Sequence, residues 1–181
     1  MSSQARRLDP RAELGAAMVQ GKIGDIRLQA SVWTRSSAEH LTELTFDLDR
    51  YVSVEPRLRS ARWVNDAQPR VGARVEVVAE VPFSIPLVGA LLGAPKGIVT
   101  VTRWLPCREL GVTFVAPQFT GCAVVQLRSI DQRTYVQVDG VTRARNRLAR
   151  LALSPLSSKL EQLATRSISR AIGRIDAATS E

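Results

Sequence analysis

The side chains that could do chemistry in this chain are few and scattered. His40 is the only histidine, and Cys107 and Cys122 are the only cysteines. No Cys-x-x-Cys pair occurs, so a histidine- or cysteine-based metal site has too few ligands to close a shell. A Ser-His-Asp arrangement would have to be built on His40, which sits in a helical pattern with no serine motif beside it. The two cysteines flank an expected strand, and in a domain of this size they read as small buried hydrophobes rather than as a disulfide. What remains are charged residues inside β-like runs, Arg103, Arg128 and Asp139. Facing inward, they would orient a carboxylate or carbonyl or act as acid and base groups. Facing outward, they are ordinary sheet charge, because alternation turns half of each strand to solvent. No carboxylate pair of the glycosidase kind is evident.

Two further features bear on partners. The 181 residues carry a formal net charge of +8, and 22 of the 25 basic residues are arginine. A surface of that sign attracts nucleic acid, anionic membrane or acidic partners. The densest cluster is Arg143, Arg145, Arg147 and Arg150, which would meet phosphates of lipid head groups or RNA; a solvated rim is the plainer alternative. No aromatic stacking motif stands beside it, so specific RNA readout is disfavoured. The second feature is Pro82 to Pro95, a stretch without a single charge. Its readings are a flap at the mouth of an apolar cavity, a tip that dips into a membrane, or a connecting segment that packs on the core or on a second copy in a homodimer. Leu87 and Leu91 stand one helical turn apart within it.

These residues must be positioned by elements that the pattern marks clearly. With 45% apolar and 23% charged residues the composition is that of one globular domain. No apolar run approaches the ~20 residues that span a bilayer. Leu14 to Val19 is too short for a signal-peptide core, so a cytoplasmic protein is expected, with residues 1–22 a flexible arm and 23–178 a single domain. Ile26, Leu28, Ala30 and Val32 alternate with polar neighbours, which predicts a strand over Gly24 to Thr34. Ser36 and Ser37 offer an N-cap, and Leu41, Leu44 and Leu48 follow at helical spacing, so a helix is expected over Ala38 to Asp49. Arg50 to Pro56 breaks it, with room for a second helical turn. Six strands follow: Leu58 to Asn65, Gly72 to Val81, Gly97 to Leu105, Glu109 to Val115, Gly121 to Ser129 and Arg133 to Arg143. Their short connections leave no room for a crossover helix, so the sheet is antiparallel. Ser154 and Pro155 then open a long amphipathic helix whose stripe is Leu156, Leu160, Leu163, Ser167, Ile168, Ala171, Ile172 and Ile175.

The order strand, broken helix, six strands and long helix resembles the helix-grip fold of the START/Bet v 1-like (SRPBCC) superfamily. Its bacterial polyketide cyclase/dehydrase-like and coenzyme Q-binding branches look nearest. Val32 to Glu39 resembles that family's first strand running into its helical pair. Phe46 to Tyr51 followed by Pro56 resembles its Asp-to-Trp-x-Pro segment, with Val54 where the tryptophan often stands. The resemblance implies an α+β fold in which a seven-stranded antiparallel sheet wraps around the C-terminal helix and encloses a pocket. The candidate lining is Phe83, Leu87, Leu91, Trp104, Phe114 and Tyr135, faced by Leu160, Leu163 and Ser167, with Arg103, Arg128 and Asp139 as polar groups. The expected function is binding or carriage of an apolar small molecule (a lipid, quinone or polyketide-like compound), with no cofactor and with an anionic membrane as a further partner. A cyclase or dehydratase is one alternative, and a basic protein- or ribosome-interaction module is another. A shared fold does not choose among them.

Overall fold

The structure, a computed structural model, describes residues 25–55, 58–65, 68–79, 96–147, 150 and 157–178, apart from a few side chains of the last helix. The alternating run after Gly24 forms β1 (Asp25–Thr34). Ser37 then caps α1 (Ala38–Phe46), its hydroxyl accepting from His40 N–H at 3.1 Å. The helix stops earlier than its apolar spacing predicts, because Asp47 leaves helical geometry and starts again. Its carboxylate accepts from Arg50 N–H at 3.1 Å and caps α2 (Leu48–Val54). The expected second turn is therefore a short helix.

The strands are β2 (Leu58–Trp63), β3 (Arg74–Ala79), β4 (Lys96–Leu105), β5 (Glu109–Val115), β6 (Phe119–Ile130) and β7 (Arg133–Ala144). They form one seven-stranded antiparallel sheet, as expected, and its strand order is β1-β7-β6-β5-β4-β3-β2. The β6–β7 hairpin is closed by two residues, Asp131 and Gln132, both at positive φ (47° and 63°). That backbone matches the right-handed strand twist and pins the longest pairing in the sheet. β4 carries an irregularity between Val101 and Arg103, so the parity of its inward positions changes there.

The last helix, α3 (Ser157–Ala178), lies against β1. Ile168, Ile172 and Ile175 meet Ala30, Val32, Val136 and Val138 from the sheet and Leu41 and Leu44 from α1. Each fully buried valine, leucine or isoleucine among them contributes about 1.5–3 kcal/mol by leaving water. Polar ties fix the register of helix on strand. Thr165 donates to the Gln29 carbonyl at 2.8 Å, and Arg27 N–H donates to Glu161 at 3.0 Å. Arg174 reaches the Val54 carbonyl at the end of α2. The expected N-cap at Ser154 and Pro155, the arm 1–22 and the segment 82–95 lie outside the described residues. No helix among the described residues is long and apolar enough to cross a membrane. Both cysteines are free thiols, Cys122 buried on the outer face of the sheet and Cys107 in the β4–β5 turn.

Candidate ligand-binding face

The sheet register divides the strand residues into an inward set without charge and an outer set in which charges flank a buried apolar cluster, Cys122, Val124 and Val141. Val136 and Val138 lie beneath α3, so the even-numbered residues of β7 face inward. Carried across the ladder, the inward set includes Val125 and Leu127 on β6, Leu110, Val112 and Phe114 on β5, Val99 and Trp104 on β4, Val77 and Ala79 on β3, and Ala61 and Trp63 on β2. None of these paired inward positions carries a charge. The outer face holds the charges and joins them into local pairs. Arg143 bonds Asp25 at 3.0 Å, Glu76 takes Arg62 at 2.6 Å and Lys96 at 2.9 Å, and Arg103 meets Glu109 at 2.7 Å.

Burial varies across the inward face. Ala30, Val136 and Val138, beneath the helix, are buried, as are Val75 and Val101 on β3 and β4, whereas Val77, Val99, Leu110, Val112 and Phe114 are only half-buried. An apolar floor thus extends past the part of the sheet that the helix seals. Its shape depends on a glycine. Phe114 pairs with Gly121, and a Cβ on Gly121 would meet the Phe114 ring at 2.5 Å and the Val141 carbonyl closer still. The ring can lie across β6 because nothing stands there.

One corner of the floor is aromatic. Phe46, at the end of α1, packs edge-on against Trp104 with centroids 4.5 Å apart and lies parallel to Trp63 at 6.1 Å. Aromatic pairs of this geometry add about 0.5–1.5 kcal/mol beyond burial. The polar groups near the floor are few. Thr142 is an inward position on β7, paired with Gly121. Tyr51 stands one turn before Val54, which packs on the core, so the two share a face of α2.

Burial pushes the Tyr51 phenol above its ordinary value of 10.0, and the nearby charge of Glu55 adds to the shift. The raised value means that the contribution of the neutral phenol to stability is complete below pH 10. It is lost as pH rises through the folded-state value, because the unfolded chain ionises first. We expect the alkaline fall in stability to be shallower in Tyr51→Phe than in the unaltered chain, measured by urea unfolding between pH 9 and pH 11. Identical alkaline limbs would mean that the phenol is solvated.

The sequence-derived lining divides accordingly. Trp104 and Phe114 stand on the inward face. Tyr135 does not: it alternates with Val136, lies on the outer face and packs on Trp33 with centroids 5.1 Å apart. The polar candidates are likewise outside, for reasons of register. Arg103 precedes inward Trp104 and pairs with Glu109, Arg128 stands opposite Tyr135, and Asp139 accepts from Gln137 at 2.7 Å beside inward Val138. Phe83, Leu87 and Leu91 lie outside the described residues, as do the side chains of Leu160, Leu163 and Ser167. Within the basic cluster, Arg143 is held by Asp25 and Arg145 donates to the Ala116 carbonyl at 3.2 Å. Phe46, Trp63, Val112, Tyr51 and Thr142 were not anticipated. The alternations Ala61–Trp63 and Leu110–Val112–Phe114 mark two of these, Trp63 and Val112, since each shares the parity of an apolar neighbour.

No protein-family profile matches the chain, and no curated protein matches it in sequence. Solved structures do match in shape. Zhui aromatase/cyclase from Streptomyces sp. R1128 is similar with a TM-score of 0.62 and 12% identity, over 83% of this chain and 93% of that one. A START superfamily protein from Mycobacterium smegmatis is similar at 0.57 and 14%, over 82% and 98%. Ara h 8.0201 is similar at 0.59 and 11%, over 86% and 99%. The fold is the START/Bet v 1-like helix grip. At these identities the likeness concerns the helix-grip architecture, and the chemistry of this chain has to be read from its own inward face.

Proposed function

We propose that this helix-grip protein binds an apolar small molecule against the inward face of its sheet. The observation that carries the reading is the absence of charge from the paired inward positions, combined with the half-buried state of Val99, Leu110, Val112 and Phe114. Ligand sites are typically apolar with a few polar groups that fix orientation, and Thr142 and Tyr51 suit that part. The similar fold of an aromatase/cyclase makes polyketide-like compounds one candidate class, beside lipids and quinones. The enzymatic alternative is the weaker one, because the charged candidates Arg103, Arg128 and Asp139 face away from the floor. Carriage without conversion is the reading that the face supports best.

The test is native mass spectrometry of the full chain purified from its own host, with extraction of any bound molecule, repeated on two substitutions. Val112→Arg places a charge on the floor, and Thr113→Arg places the same charge on the outer face. Occupancy is expected to fall at least about tenfold in Val112→Arg, the effect of one buried unpaired charge, and to stay unchanged in Thr113→Arg. A chain that carries nothing and takes up no neutral fluorescent lipid probe would overturn the proposal, as would equal occupancy in the two substituted proteins.

A further inference from the structure

The strand ends distribute exposed apolar side chains unevenly. Six large hydrophobic residues are exposed among those described: Trp33, Val64, Val71, Leu105, Val115 and Ile130, each between 43% and 51% accessible. The register places five of them at one end of the sheet. Thr34 pairs with Thr134 just beyond Trp33, and Ile130 pairs with Arg133 across the β6–β7 turn. Leu105 pairs with Glu109 across the β4–β5 turn. Val64 N–H donates to the Arg74 carbonyl, and Gly72 N–H, next to Val71, donates to the Val101 carbonyl. Only Val115 is at the opposite end. Seven strands at about 4.8 Å spacing make this rim roughly 29 Å wide.

The same rim is basic. Arg74, Arg108, Arg128 and Arg133 are exposed there, and Arg35 and Arg70 lie in its loops. The exposed carboxylates among its described residues are Glu39 and Asp131, while Glu109 is buried against Arg103. An open groove of about 760 Å³ is set into the rim, its charged lining being Arg103, Arg108 and Arg128 together with Glu39 and Glu109. Glu109 is taken up by Arg103, so Arg108 and Arg128 are the groove's exposed cations, beside the two aliphatic tips, Leu105 and Ile130.

We propose that this rim is a docking surface for an anionic lipid bilayer. Leu105 and Ile130, on tight turns, enter the outermost hydrocarbon. Trp33, its ring tilted against that of Tyr135, lies at head-group depth, where amphipathic rings are favoured. Arg108 and Arg128 meet lipid phosphates or carboxylates from the groove. Charge complementarity and exposed aliphatic tips together choose this occupant. A single-stranded nucleic acid would use the arginines and the Trp33–Tyr135 pair, but it leaves the aliphatic tips without a role. The proposal is independent of what occupies the inward face.

The experiment is flotation of the full chain with vesicles of phosphatidylcholine containing one quarter phosphatidylserine, against vesicles of phosphatidylcholine alone. Binding to the anionic vesicles is expected, at least about tenfold above the neutral ones. The pair Leu105→Ser and Ile130→Ser, and separately the pair Arg108→Gln and Arg128→Gln, should each reduce it about tenfold. Val115→Ser, at the far end of the sheet, should leave it unchanged. Melting temperatures of all variants identify any that fails to fold, and Leu105→Gln with Ile130→Gln is the replacement if the serine pair does. Folded rim variants that bind like the unaltered chain would overturn the proposal, as would equal binding to both vesicles. Retention of single-stranded RNA through Arg108 and Arg128, with no vesicle binding, would reassign the rim to nucleic acid. Val112 is untouched throughout, so failure here leaves the ligand-binding reading standing.

Discussion

Arg103→Met is expected to destabilise the protein by roughly 3 kcal/mol in chemical unfolding, far more than an arginine on a sheet surface ordinarily would. The reason is Glu109, which is 6% exposed. Its carboxylate lies 2.7 Å from Arg103 Nε, in charge contact without hydrogen-bond alignment, and accepts from Gln126 Nε2 at 3.2 Å. Taking away the guanidinium leaves a largely buried carboxylate without its ion pair to Arg103. Losing one partner of a buried pair typically costs about 3–5 kcal/mol, and the lower end applies because Arg103 itself is partly exposed. Removing both charges is a different matter. The double variant Arg103→Met with Glu109→Met should recover most of the loss, since no uncompensated charge remains. If Arg103→Met costs under about 0.5 kcal/mol, the carboxylate is solvated and the account is wrong.

Gly121→Ala should be the other severe substitution, at about 2–3 kcal/mol, or roughly 5–10 °C in thermal melting for a chain of this size. The new methyl would strike the Phe114 ring and the Val141 carbonyl at once. The ring can turn away, but the carbonyl belongs to the β6–β7 ladder and cannot move without loosening the longest pairing in the sheet. Adding Phe114→Leu should therefore restore only part of the stability. Full restoration would show that the ring alone was at fault, and no loss in Gly121→Ala would show that the strands are farther apart at this point. Ligand uptake should fall with the displaced ring, because Phe114 forms part of the apolar floor.

The fold was legible in the residues because its elements announce themselves by period. The alternation in β1 and β7, the serine cap of α1 and the isoleucine stripe of α3 all led to the observed elements. The site was less legible, and the difficulty was parity. Alternation says that residues divide between two faces, but the choice of face needs an anchor. Placing Tyr135 and Asp139 inside treats aromatic or titratable character as that anchor. The better anchor was Val136 and Val138, whose neighbours must then point out. Arg103 and Trp104 could not both face inward on a regular strand, and the irregularity after Val101 decides for Trp104. The Phe46–Trp63–Trp104 corner joins a helix end to two distant strands, and no local pattern carries a contact of that kind.

The separation of charged from uncharged strand faces also bears on how the chain finds its pairing. A side chain changes face with every residue along a strand, so a register error of one between β6 and β7 cannot be partial. It would carry Arg133, Asp139 and Arg143 to the inward face and take Val136 and Val138 away from the last helix. Each unpaired charge so trapped costs several kcal/mol, against the whole stability of about 5–15 kcal/mol that a domain possesses. The misregistered hairpin therefore has no stable helix-packed form to fall into. It would separate and pair again, and docking of α3 acts as a check on the sheet before folding is complete.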